Sequence, residues 1–136
     1  MSPTIIQKPE TKISEKLLRE IKTQTEEMGQ VVLHFVFHTP PDTGMGDTLI
    51  RIWPTSYLYD LHSSHKSELI HIENITYYPV WYLCPAGTET YFTLIFSGLP
   101  KSCTAFDFIE HCTNQSGAFE VRNIQRNKSD VYFLQL

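Results

Sequence analysis

Three histidines, His62, His65 and His71, stand close to the carboxylates Asp60, Glu68 and Glu73. Neutral imidazole mixed with carboxylate is what zinc or another divalent ion takes as ligands. The spacing is that of a polar turn, with His62 and His65 inside it, not of an i, i+4 pair on a helix, so ordinary turn histidines are the simpler reading. Cys103, His111 and Cys112 form a second set, which needs a partner such as Cys84 to complete a four-ligand zinc site. A cysteine nucleophile paired with a histidine would need a lowered thiol pKa and an orienting group, and buried or partly exposed thiols account for the same residues. Asp107 and Glu110 are spaced like an acid and base for glycosidic cleavage, which requires carboxyl groups about 5 to 9 Å apart. Their Phe-rich surroundings suggest otherwise. Asp107 is expected to accept backbone hydrogen bonds at a turn, and Glu110 to be exposed or paired with a lysine.

Aromatic residues are the other chemical resource. Trp53, Tyr57, Tyr59, Tyr77, Tyr78, Trp81 and Tyr82 read first as sheet packing, because aromatic cross-strand pairs stabilise sheets. The functional reading is an exposed platform for a sugar or a protein loop. Trp53, Tyr57, Tyr78 and Trp81 are its candidate residues. Asp42 and Asp47 join them from the loop TPPDTGMGD, Thr39 to Asp47, whose prolines, glycines and aspartates stop strand pairing. No triad, phosphate loop or complete ligand set is present. The expected function is therefore a non-catalytic protein-binding or assembly module without a cofactor. A metal-binding protein or metal-dependent enzyme using His62, His65 and His71, and a sugar-binding module using the exposed Trp and Tyr, are the alternatives.

The elements that must position these residues are mostly strands. Tyr91 to Ser97 alternates most clearly, with Phe92, Leu94 and Phe96 on one face, and ends at the turn Gly98-Leu99-Pro100. Gln30 to His38 is apolar on both faces and reads as a central strand. Thr48 to Trp53, Ser56 to Asp60, Glu68 to Glu73 and Ile75 to Cys84 follow, the last with Pro79 at an edge or bulge. Beyond Phe106, Phe108 and Ile109, the strands Ala118 to Ile124 and Val131 to Leu136 are joined by a polar turn and read as a hairpin. About seven short strands with regular turn signals predict an antiparallel sandwich of two sheets, with an open barrel as the alternative.

Before the strands, residues 1 to 12 read as an arm, and Ser14 to Met28 as an amphipathic helix with Ile13, Leu17, Ile21 and Met28 on one stripe. Gly29 takes the left-handed C-terminal position common at helix ends. Residues 1–29 thus form an arm and helix, and 30–136 the β domain. The stripe packs on its own domain or on a second copy, which makes it the candidate surface for a homo-oligomer.

The chain of 136 residues suits one domain, and its formal charge of −4 without a basic cluster lacks the footprint of nucleic-acid binding. No apolar run reaches the roughly 18 to 20 residues of a membrane helix. An odd count of three cysteines and the absence of a signal-peptide pattern point to a cytoplasmic location. Three Asn-X-Ser/Thr sequons, at Asn74, Asn114 and Asn127, carry little weight against it.

YLYD at Tyr57 to Asp60, ENIT at Glu73 to Thr76 and FTLIFSGLPKSCTAFDFIE ending at Glu110 together resemble a class of uncharacterised bacterial immunoglobulin-like β-sandwich domains. Their Y-L-x-D, F-x-L-x-F-x-x-L-P and F-D-x-I-E segments recur in this order. The resemblance covers roughly Thr48 to Ile124 and implies an immunoglobulin-like sandwich. Such domains are extracytoplasmic or accessory modules without assigned activity, so what it implies is a fold and no site.

Overall fold

The computed structural model describes residues 29–41, 46–113 and 117–136. The expected helix with Ile13, Leu17, Ile21 and Met28, the arm before it, and Asp42 lie outside the described residues. Gly29 has a φ of 72°, the left-handed conformation expected of it.

The described residues form nine strands. Seven build one sheet: β1 (Gln30–His38), β3 (Ser56–Asp60), β4 (Lys66–Glu73), β6 (Glu89–Ser97), β7 (Ala105–Glu110), β8 (Glu120–Gln125) and β9 (Val131–Gln135). Their order is β8-β7-β3-β4-β6-β1-β9. The short strands β2 (Thr48–Ile50) and β5 (Tyr82–Cys84) pair as a separate ribbon.

Alternation explains the core. Val31, Leu33 and Phe35 of β1 lie against Phe92, Leu94 and Phe96 of β6, cross-strand partners in register, and all six are buried. Phe106 and Phe108 of β7 and Leu58 of β3 supply the opposing wall and are fully buried. The sheet curls so far that distant strands touch. Phe35 of β1 stacks on Phe92 at 5.1 Å between centroids and meets Phe108 of β7 at 5.2 Å. Phe106 of β7 meets Tyr132 of β9 edge-on at 5.1 Å. A mainly β fold and a central β1 are thus as expected. The described residues hold nine strands, not about seven.

Three expectations differ from the structure. The sheet is not wholly antiparallel, because β1 and β9 run parallel, with Val32 opposite Val131 and Val36 opposite Gln135. The segment Ile75 to Cys84 is not one strand. Ile52 donates to the Thr76 carbonyl and Tyr78 donates to Ile52, both at 2.8 Å, after which Val80 closes a turn onto Tyr77. Proline has no N–H to continue a ladder at residue 79, and pairing resumes only at Tyr82. The hairpin of the last two strands is absent as well: β8 pairs with β7 and β9 with β1, at opposite ends of the sheet. β9 takes β1 as its hydrogen-bonding partner, while its Tyr132 packs edge-on against Phe106 across the curl of the sheet.

Candidate functional site

The ribbon assembles the aromatic residues. In its antiparallel register Leu49 faces Leu83 and Ile50 faces Tyr82, so the next pair along is Arg51 beside Trp81. Period-two alternation puts Leu49, Arg51 and Trp53 on one side, while Ile50 and Ile52 turn into the core at 5% and 0% exposure. The Tyr77 to Val80 turn brings Tyr78 over the same side. Trp53 and Tyr78 stack at 3.9 Å between centroids. The Arg51 guanidinium lies 3.6 Å from the Trp81 ring centre, 4.6 Å from Tyr78 and 5.8 Å from Trp53, and donates to the Pro79 carbonyl at 3.2 Å. Each cation–ring contact contributes on the order of 0.5 to 2 kcal/mol, so three rings hold one flexible cation in place.

Beside this cluster a hollow of about 250 Å³ opens between the ribbon and the end of β7. Arg51, Trp53 and Trp81 line one side, and Phe37, Glu110 and Phe119 the other. Glu110 is 5% exposed, which overturns its expected surface position. Its Oε2 accepts the Trp53 amide at 2.8 Å and its Oε1 the Phe119 amide at 2.9 Å. Burial pushes its carboxyl above the usual glutamate range, against the pull of those two N–H groups and of Arg51. Both oxygens are thus committed as acceptors, and the residue clamps two chain segments together.

Asp107, the other member of that acidic pair, does accept a backbone hydrogen bond, though within a strand and not at a turn. Its Oδ1 takes the Asn123 amide at 2.7 Å where the β7–β8 register shifts, and its Oδ2 takes Arg122 at 3.2 Å.

The remaining candidates are placed apart. Tyr57 belongs with Lys66, whose ammonium sits 4.2 Å over its ring, and with Tyr59 and His111, which share a hydrogen bond at 2.7 Å. Asp47 accepts the Ala86 amide at 2.9 Å and fixes the turn after β5. His62 is in the turn after β3, where its amide donates to Asp60. His65 Nε2 lies 3.0 Å from both Ser67 Oγ and the Gly98 carbonyl, and His71 lies 3.3 Å from Glu73. Among the described residues no three His, Cys, Asp or Glu side chains are grouped to hold a metal ion. Cys103 is buried, its thiol donating to the Ala105 carbonyl at 3.3 Å, and desolvation followed by the neighbouring Asp60 pushes its pKa up, away from nucleophilic character.

Sequence reasoning missed Arg51 as a member of the site and placed Glu110 at the surface. Strand parity was the available signal: Arg51 shares a face with Leu49 and Trp53, and Glu110 shares one with Phe106 and Phe108. No helix among the described residues is long and apolar enough to cross a membrane. No protein-family model matches the chain, and neither the curated proteins nor the solved structures contain a match.

Proposed function

We propose that this domain is a non-catalytic protein-binding module whose recognition face is the outer side of the β2–β5 ribbon. The observation that carries this reading is the Arg51 cluster set in exposed apolar surface: Leu49, Tyr78, Val80, Trp81 and Leu83 are all between 43% and 58% exposed. Tryptophan, tyrosine and arginine are the residues that dominate binding energy at protein interfaces, and they do so when held rigid before the partner arrives. Arg51 is so held by Trp81 and Tyr78, and the hollow behind it offers room for an apolar side chain of the partner. A flat sugar platform fits less well, since Trp53 is stacked on Tyr78 and one face of Trp81 is taken by Arg51. The immunoglobulin-like type of sandwich and the accessory role implied by the sequence resemblance belong to the same reading.

The test is a photo-crosslinking residue at position 83 in cells that make the protein, read by mass spectrometry. The expected result is one reproducible protein adduct that disappears on Trp81→Ala with the circular dichroism spectrum unchanged. An adduct pattern indifferent to Trp81→Ala and to Arg51→Ala would sink the proposal.

A further inference from the structure

The two edges of the curled sheet are built differently. β8 is guarded in the usual ways: Glu120 and Arg122 put charge on it, its register against β7 is shifted by a bulge, and Asn123 has a left-handed φ of 55°. β9 has none of these. Its sequence VYFLQ contains no charge, proline or glycine, and Phe133 at its middle is 81% exposed. Val32 donates to the Asp130 carbonyl and Leu136 donates to the Val36 carbonyl. Even-numbered backbone groups therefore face β1, and those of Val131, Phe133 and Gln135 face outward. Val131 is satisfied locally, since its carbonyl accepts Asn127 and its amide donates to Ser129. Among the described residues, the groups left at the edge are those of Phe133 and Gln135.

We propose that β9 is a homodimerisation edge, pairing antiparallel with β9 of a second copy about a twofold axis at Leu134. In this register Phe133 stands opposite Gln135 of the second copy, and each such pair exchanges both of its N–H···O bonds. A second copy fits better than an unrelated strand because the edge is self-complementary. Its outward groups satisfy one another in this register, and no like charges are opposed across it. The side chains support it too. Phe133 stacks on His34 at 5.0 Å, and beside it the outer face carries a groove of about 450 Å³ toward Tyr91, itself 62% exposed. This surface is separate from the ribbon face and does not depend on its role.

Sedimentation analysis and amide hydrogen exchange on the full chain test the proposal. The expected result is a concentration-dependent dimer in which the Phe133 and Gln135 amides are protected, and become exposed on dilution. Phe133→Lys should weaken the dimer by about tenfold or more without changing the circular dichroism spectrum. Gln135→Pro, which removes an outward N–H together with the side-chain contact to His38, is a second variant that should act in the same direction. A wild-type monomer at high micromolar concentration would overturn the proposal. So would a dimer whose Phe133 and Gln135 amides exchange freely, or one that survives both substitutions.

Discussion

Glu110 shows how one side chain joins the ribbon to the main sheet. A carboxylate presents acceptors on both oxygens, which is what the Trp53 and Phe119 amides require, whereas an amide side chain offers one acceptor and one donor. Glu110→Gln should therefore cost about 1 to 3 kcal/mol, read by urea denaturation. Because burial raises the folded-state pKa of Glu110, the folded protein holds that proton more tightly than the unfolded chain. Its contribution to stability falls as pH rises from the ordinary glutamate range through the raised value, and the cost of Glu110→Gln should shrink over that interval. A cost that grows with pH would refute the raised pKa. Asp60 has the opposite sign. Burial pulls its carboxyl upward, but donation from Ser63 and the His62 amide, with the Cys103 thiol close by, holds it below the usual range. Its contribution is present above the unfolded pKa and is lost as pH falls through the folded one, so Asp60→Asn should cost less in acid than at neutrality. The aromatic half of the site was legible because Trp53, Tyr78 and Trp81 stand out by type. Glu110 was not, because a carboxylate in a sequence is assigned to water unless strand parity is weighed against charge.

At the scale of the element, the bulge in β8 is set by Asp107 and Asn123 together. Asn123 has left-handed φ, its amide donates to Asp107, and its own Oδ1 accepts Gln125 at 3.0 Å. Replacement of Asn123 by glycine should change stability by only a few tenths of a kcal/mol, whereas valine should cost about 1 to 2 kcal/mol, since a β-branched residue resists that conformation. Thermal denaturation of the two variants side by side checks the order. Equal losses would mean that the side-chain hydrogen bond, and not the backbone, is what matters. β1, β3 and β6 could be read directly because each has an alternating face that the core fills. β4 breaks its alternation at the register shift between Leu69 and His71, and β7 is buried on both faces, which leaves no alternation to read. Tyr77 to Trp81 could not be read either. Its aromatic residues have strand propensity, but its pairing partner is the isolated Ile52, and a single bridge leaves no periodic trace.

For the whole molecule the order of the strands was hidden for a different reason. Turn residues show where the chain reverses but not which edges then meet, and the pairing of Val32 with Val131 is a long-range choice made by packing. Arg126, in the connection from β8 to β9, ties down this end of the sheet. It donates through Nε and Nη2 to the two carboxylate oxygens of Asp130, and through Nη1 to the carbonyls of Pro100 at 2.8 Å and Cys103 at 3.1 Å. Asp130 also accepts the Tyr132 hydroxyl at 3.0 Å, which in turn accepts the Asn127 amide at 3.0 Å. The connection is thereby fastened to the loop before β7 and to β9 at once, so the two edge strands are held to the curled sheet rather than to each other. Both members of the ion pair are well shielded, at 16% and 17% side-chain exposure. Removing the cation would leave the Asp130 carboxylate with only the Tyr132 hydroxyl, the Pro100 carbonyl with only the Cys103 amide, and the Cys103 carbonyl without Nη1, which makes this a costly site despite its place in a turn. Arg126→Met, which keeps the aliphatic stem, should lower stability by about 2 to 4 kcal/mol. Arg126→Lys should recover only part of that, because an ammonium cannot span the carboxylate and both carbonyls as a guanidinium does. Urea denaturation with fluorescence detection distinguishes these outcomes. Full rescue by lysine would mean that charge alone, and not the fork geometry, holds the end of the sheet.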